Sequence, residues 1–172
     1  LPILTADGRF YYNYDLENRL VKVWNGSDSM AFKYDYMGRR VEAKFEEYVS
    51  GAWVERWTKR YVYDGRHLIA EFDASTKNVG NTFFWGYDIS HSIGGAGTIG
   101  GLLMQDDGTD QYIPGYDGRG NVVLYISEAT GAIVAELEYD PYGVLLRKDG
   151  DYDKFPFRYQ TKWDMDFGGE DD

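Results

Sequence analysis

Six residues of this chain, Gly95-Ala96-Gly97-Thr98-Ile99-Gly100, satisfy the spacing G-x-G-x-x-G, in which glycines let a backbone close on a pyrophosphate. That chemistry requires the last glycine to open a helix whose N-terminus faces the phosphates. Here Leu102-Leu103-Met104 is followed at once by Gln105-Asp106-Asp107-Gly108-Thr109-Asp110, which is too short and turn-rich for such a helix. A Gly-rich connection before a short Leu102-Leu103-Met104 strand is expected instead, and no cofactor is assigned.

Carboxylate clusters offer a second chemistry. Asp106-Asp107-Gly108-Thr109-Asp110 and Asp149-Gly150-Asp151-Tyr152-Asp153 could hold a hard cation through oxygen ligands. Neither meets the D-x-[DN]-x-[DN]-G-x₅-E spacing of a calcium loop, so solvated loops are expected and no metal ligand is assigned. Only two histidines occur, His67 in an expected strand and His91 beside the Gly-rich stretch, and no G-x-S-x-G nucleophile elbow is present. The absence of cysteine removes thiolate nucleophiles and Cys-type metal sites. Glycosidase-type carboxylate pairs are spatial and cannot be read from sequence. No catalytic residue is therefore assigned, and the chain reads as structural and not as an enzyme.

Sixteen Tyr, 9 Phe and 5 Trp supply ample area for burial. Trp24, Trp53, Trp57 and Trp85 could stack on sugar rings, but covering the faces of a sheet explains them more simply. Asn25-Gly26-Ser27 matches a glycosylation sequon, and an Asn-Gly hairpin turn accounts for it without modification. The formal charge of -11, from 29 acidic and 18 basic residues, argues against a phosphate backbone as partner, since affinity there comes from cations displacing counterions. No apolar run approaches the roughly 20 residues of a membrane helix. Leu1-Pro2-Ile3-Leu4 carries no basic leader, so no signal peptide is expected within these boundaries.

The elements that would position these residues are set by a repeat. Tyr-Asp recurs at 14–15, 34–35, 63–64, 87–88, 116–117 and 139–140, at intervals of about 20 to 29 residues. The flanking residues recur as well: Asn18-Arg19 after Tyr14-Asp15, Gly38-Arg39 after Tyr34-Asp35, Gly65-Arg66 after Tyr63-Asp64, Gly118-Arg119 after Tyr116-Asp117, and Pro141-Tyr142-Gly143 after Tyr139-Asp140. Tyr suits a half-buried pleated surface, Asp accepts backbone N–H groups in an Asx-turn, and Gly or Asn tolerates positive φ. The Arg can return to the turn carboxylate or stack on a neighbouring Tyr.

Period-2 alternation of Val41, Ala43 and Phe45 with Glu42, Lys44 and Glu46, then a Ser50-Gly51 break before Trp53 and Trp57, predicts a long hairpin. Asn25-Gly26 predicts another, with Ser27-Asp28-Ser29 lengthening its loop. Glu128-Ala129-Thr130-Gly131 predicts a third. No window carries a helical stripe, so helix should be scarce. The fold class expected is all-β: consecutive antiparallel hairpins forming a curved or spiralling sheet over residues 1–163, with 164–172 an acidic, poorly ordered tail.

These units, together with Gly115-Tyr116-Asp117-Gly118-Arg119-Gly120-Asn121-Val122, Glu138-Tyr139-Asp140-Pro141-Tyr142-Gly143 and Phe155-Pro156-Phe157-Arg158-Tyr159, resemble the Rhs/YD-repeat proteins near their repeat-associated core. The match runs from about residue 7 to about residue 163. In that family, which includes bacterial polymorphic toxins, insecticidal toxin complex subunits and animal teneurins, hairpins wind into a hollow β-shell that in the toxins encloses a C-terminal toxin. The resemblance implies a shell or scaffold segment of a secreted or cell-surface bacterial protein. Its partners would be the remaining shell and an enclosed toxin or cargo domain, with glycans as a further class and no nucleic acid.

An adhesion or glycan-binding module and an autoproteolytic or hydrolytic core are the alternatives. The aspartates with which toxin relatives cleave themselves belong to motifs downstream of Asp140-Pro141 and have no match here. Similar proteins continue beyond Arg158 to Asp164 into further Tyr-rich segments, whereas Gly168-Gly169-Glu170-Asp171-Asp172 closes this chain, so core completion and cargo are expected outside it.

Overall fold

Antiparallel strands joined by short turns must lie beside their chain neighbours, because a tight turn returns the backbone one strand spacing away. The computed structural model, which describes residues 3–6 and 8–164, follows this rule throughout. Thirteen strands are found among the described residues, and their order in the sheet is chain order without a crossover. The only helical pieces there are two single 3₁₀ turns, Tyr152–Lys154 and Tyr159–Thr161. The fold is thus all-β and built from consecutive antiparallel hairpins. No described helix is long and apolar enough to cross a membrane, which says nothing about strands. The expected tail lies, except for Asp164, outside the described residues.

Packing divides the chain into two units, one built on described residues up to 62 and on 71–79, the other on 63–70 and on 80–164. The first unit contains β1 (Ile3–Ala6), β2 (Tyr11–Tyr14), β3 (Leu20–Trp24), β4 (Asp28–Tyr34), β5 (Arg40–Val49) and most of β6 (Ala52–Asp64). Register aligns Val23, Met30, Phe45 and Trp57 in one cross-strand row, with Phe32 and Ala43 beside it. Val23, Met30, Phe32 and Ala43 are buried, and Phe45 stacks on Trp57 at 5.7 Å. The opposite face carries Glu42 between Lys33 (2.6 Å) and Arg60 (3.0 Å). The two cations are solvent-exposed (Lys33 72%, Arg60 47%), and such screened pairs contribute at most about 1 kcal/mol each, so the apolar row carries most of the stability.

Ser50 and Gly51 both take positive φ (52° and 92°), which makes the long hairpin turn type I′. At the Asn25-Gly26 hairpin the loop is longer than two residues, as its sequence suggests. Asn25 Oδ1 accepts the N–H groups of Ser27 (2.8 Å) and Asp28 (2.6 Å), so the turn closes in three residues and β4 begins at Asp28, two residues ahead of Met30.

The second unit contains β8 (Val79–Trp85), β9 (Leu102–Asp106), β10 (Gln111–Tyr116), β11 (Val122–Ser127), β12 (Ile133–Tyr139) and β13 (Leu145–Gly150). β7 (His67–Asp73) contributes residues to both units. After β13 the backbone turns back over the sheet. Phe155, with no exposed surface, stacks on Tyr125 (3.9 Å between centroids, 10° between planes) and meets Tyr112 edge-on at 5.0 Å. Val122 and Ala135 complete this core. Phe157 meets Phe83 and Trp85 edge-on, both at 5.1 Å. The segment Tyr152–Asp164 is thus a second layer for this unit's sheet.

Replacing Phe155 by Ala should destabilise the protein by about 3–5 kcal/mol, the range for emptying a buried aromatic site. Phe84→Ala, on a side chain that is 47% exposed, should cost under about 0.5 kcal/mol. Denaturant titration of both variants checks the contrast.

Candidate functional site

The six Tyr-Asp pairs stand at, or just after, the C-terminal ends of β2, β4, β6, β8, β10 and β12. Four share one geometry. Asp15 Oδ1 accepts the N–H groups of Glu17 (3.0 Å) and Arg19 (2.9 Å). Asp35 does the same for Met37 and Arg39, both at 2.9 Å. Asp117 accepts from Arg119 (2.9 Å) and Asn121 (3.0 Å), and Asp140 from Tyr142 (2.7 Å) and Val144 (2.9 Å). In each, the Asp N–H donates to the carbonyl four residues on, and its own carbonyl accepts from the N–H three residues on.

The residue three after each Asp must take positive φ: Asn18 59°, Gly38 76°, Gly120 77°, Gly143 93°. A left-handed residue there closes a three-residue hairpin loop with a G1 bulge. Just beyond the loop the register slips by one: Tyr14, Tyr34, Tyr116 and Tyr139 pair with Leu20, Arg40, Val122 and Leu145, and Val21, Val41, Val123 and Leu146 are passed over.

The second carboxylate oxygen selects the residue four ahead. Arg19 donates Nε and Nη2 to Asp15 Oδ2, each at 2.7 Å, and Arg39 repeats this on Asp35. Such forked contacts are the strong form of ion pair. On Asp117 the partner is Asn121 Nδ2 at 2.7 Å. Neighbouring turns are also laced together. Arg19 Nη1 donates to the Asp35 carbonyl (3.3 Å) and its guanidinium lies over the Tyr34 ring (5.2 Å), while the Tyr34 hydroxyl donates to the Leu20 carbonyl (2.7 Å). Tyr116 hydroxyl donates to the Leu102 carbonyl (2.6 Å) in the same way. The Arg19 backbone N–H, opposed by burial, holds Asp15 below the usual carboxylate range. At Asp35 burial pushes upward, but the Arg39 backbone N–H and guanidinium outweigh it and the carboxyl is again lowered.

Two units depart from the sequence grouping. Gly118 and Arg119 occupy the first two loop positions, and it is Gly120 and Asn121 that stand where Gly38 and Arg39 stand. Tyr63-Asp64-Gly65-Arg66 makes a tighter turn: β6 ends at Asp64 and β7 starts at His67, with Gly65 at φ 55°.

Tyr87-Asp88 does something else again. Asp88 is 4% exposed; its Oδ1 accepts the N–H (2.9 Å) and hydroxyl (2.5 Å) of Ser90, and its Oδ2 accepts the Ala96 N–H (2.6 Å). The Ser90 hydroxyl, opposed by burial, lowers the Asp88 carboxyl, with the Ala96, Ser90 and Thr98 N–H groups adding to it. The Gly-rich stretch therefore folds around the chain's own carboxylate, in the place where a dinucleotide loop would present N–H groups to a phosphate. Strand β9, not a helix, follows it. Sequence reasoning counted Asp88 among the repeats but not this role, whose only signal is an unusually long gap between β8 and β9.

The acidic clusters are likewise used internally. Asp107 Oδ1 accepts from Thr109 N–H (2.8 Å), Thr109 hydroxyl (2.5 Å) and Asp110 N–H (3.0 Å), and Oδ2 from the Tyr112 hydroxyl (3.2 Å). Burial pushes this carboxyl up, but those hydrogen bonds outweigh it and bring it to about 2. Asp110 Oδ2 accepts the Ser127 hydroxyl. Asp149 pairs with Arg147 at 2.6 Å and Asp151 with Lys154 at 3.3 Å. Among the described residues no group of three or more His, Cys, Asp or Glu is placed to hold a metal ion. His67 opens β7 with its ring 5.3 Å from Trp85, and His91 takes φ 58° in the Gly-rich loop. Trp24 stacks on Tyr11 at 5.5 Å, and Lys22 lies over both Trp24 (5.5 Å) and Trp53 (5.7 Å).

No protein-family model matches the sequence. The chain is 28% identical over 144 residues to the tRNA3(Ser)-specific nuclease WapA of Bacillus spizizenii, and 29% identical over 144 residues to the tRNA nuclease WapA of Bacillus subtilis. Each match covers 81% of this chain and 5% of the relative. Among solved structures it is similar to TcdB2-TccC3, with a TM-score of 0.59 at 18% identity over 91% of this chain, and to the Photorhabdus luminescens Tc holotoxin pore, with 0.58 at 17% over 92%. The chain shares the fold of these toxin-complex chains, and its sequence similarity to the WapA proteins agrees with the Rhs/YD-repeat resemblance of its motifs. It spans 5% of the curated relatives' length and 8% of those solved chains.

Asp35→Ala should lower stability more than Asp35→Asn, because Asn keeps an acceptor for the Met37 and Arg39 N–H groups and loses only the ion pair; thermal melting of both variants checks the order. For Asp107 the folded-state pKa of about 2 lies below the unfolded value of about 3.9. Its contribution to stability is intact above about pH 4 and is lost as pH falls towards 2. Asp107→Asn should flatten that part of the stability profile in urea titrations.

Proposed function

We propose that this chain is a wall segment of an Rhs/YD-repeat shell, and that its work is physical containment. The observation that carries the reading is strand order equal to chain order across thirteen strands, with β1 and β13 outermost. Such a ribbon grows by adding hairpins, and each hairpin needs neighbours to bury its faces and pair its edges. Similarity to Tc toxin chains and to WapA proteins supports a shell or toxin-related role. The partners on this reading are the adjoining repeats and an enclosed toxin or cargo domain, in a protein secreted or carried on a bacterial surface.

The test uses a polypeptide that carries this segment together with the domain it is proposed to enclose. Its enclosed domain should resist added protease until the wall is loosened by mild denaturant or by Asp35→Ala combined with Asp117→Ala. Equal digestion of that domain with the wall intact would refute containment.

The names of the relatives raise a second reading, nuclease activity. The net charge of -11 disfavours it in this segment, since each phosphate contact needs a cation. Purified chain incubated with tRNA should leave it intact on a gel, and cleavage that follows the protein through purification would overturn the purely structural assignment.

A further inference from the structure

The segment Tyr152–Asp164 lies on the second unit without joining its strand ladder. β10, β11 and β12 pair with one another through registers in which it takes no part. Its one bridge is internal, between Phe157 and Trp163. What it meets is a set of matched groups at strand ends and side chains. Val122 N–H donates to the Arg158 carbonyl (3.1 Å), the Tyr125 hydroxyl to the Phe157 carbonyl (2.7 Å), and Gln105 Nε2 to the Lys154 carbonyl (3.0 Å). Asn121 Oδ1 accepts the Gln160 N–H (2.9 Å). Thr161, 1% exposed, receives the Gly100 N–H (2.7 Å) and donates to the Gly120 carbonyl (2.9 Å).

The segment also shapes itself. Arg158, 7% exposed, donates Nε to the Phe155 carbonyl (3.1 Å), Nη1 to Asp164 (2.8 Å) and Nη2 to the Tyr152 carbonyl (3.4 Å). Arg158 N–H donates to the Lys162 carbonyl (3.1 Å) and Asp164 N–H to the Pro156 carbonyl (2.7 Å). Two aromatic anchors sit in ring-lined seats: Phe155 between Tyr112 and Tyr125, and Phe157 between Phe83 and Trp85. Buried aromatic anchors, satisfied polar groups and a preorganised backbone are the features of a bound peptide.

We propose that the face formed by β8 to β12 is a peptide-docking groove for a Phe-Pro-Phe-Arg sequence. The chain fills it in cis with Tyr152–Asp164, which detaches and rebinds as one unit while the sheet stays paired. Regions held by side-chain seats outside a ladder can open below the free energy of global unfolding. The inference does not depend on containment, because the groove and its occupant are in the same chain.

Native-state hydrogen exchange on the unmodified chain tests it. The amides of Gly100, Val122, Gln160, Thr161 and Lys162 should share one opening process, at least about tenfold faster than exchange in the β11–β12 ladder. Exchange of both sets only through the same global opening would refute a separable segment. A second experiment uses the full chain carrying Phe155→Ser and Phe157→Ser, with a labelled synthetic peptide of residues 151–164. Saturable binding, at least about tenfold weaker for a peptide with Arg158→Ala, is expected. A variant that keeps its β-sheet circular dichroism but binds no peptide would overturn the groove; if the variant does not fold, the exchange experiment on the unmodified chain decides.

Discussion

A carboxylate that accepts two backbone N–H groups, two and four residues ahead of it, is the constraint on which this sheet rests. A hairpin that turns in three residues leaves those N–H groups pointing into the loop, where no strand can reach them. Asp15, Asp35, Asp117 and Asp140 satisfy them from inside. The residue three ahead then takes positive φ, and a register slip of one accompanies each turn at the preceding Tyr. Tyr34 and Tyr116 then each reach a carbonyl 14 residues back. Turn and bulge thus recur together at all four ends, and the lateral stitch joins them at Tyr34 and Tyr116.

The other ends of the hairpins are less uniform, and for the same reason. Asn25, Asp73 and Ser127 each cap their own loop with a side-chain oxygen, and Ser50-Gly51 needs no cap because type I′ geometry matches strand twist. Asp73 and Ser127 open four-residue loops that end on a positive φ, at Lys77 (65°) and Gly131 (70°). These ends carry no recurring Arg or Tyr, and what joins one to the next is varied: Asp110 accepts the Ser127 hydroxyl and the Ala129 N–H, and Tyr48 N–H donates to the Ser27 carbonyl. The repeated side-chain stitch belongs to the Tyr-Asp ends.

Asp88 shows the same chemistry on a larger scale. A buried carboxylate gathers N–H and hydroxyl donors from a loop rich in glycine, and the loop wraps it as it would wrap a phosphate. The glycine spacing that mimics a dinucleotide fingerprint reflects a real need for close backbone approach. Its ligand is the chain's own side chain.

The sequence alone determined the all-β class, the hairpin order and the turn positions, because period-2 alternation and Asp/Gly/Asn turn chemistry act within a few residues. It also identified the Tyr-Asp units, and the Arg19 contacts to Asp15 and Tyr34 follow from residue type and reach. Position within the turn was less legible: Gly118-Arg119 looks like Gly38-Arg39, and only the donors that reach Asp117 reveal Gly120-Asn121 as the equivalents. Tertiary structure alone decided that Asp88 is buried at the centre of the Gly-rich loop, and that Phe155 and Phe157 fill seats on the second unit's sheet. Both depend on contacts between residues distant along the chain: Phe155 lies thirty residues from Tyr125, and no local pattern records which surface a returning segment will cover.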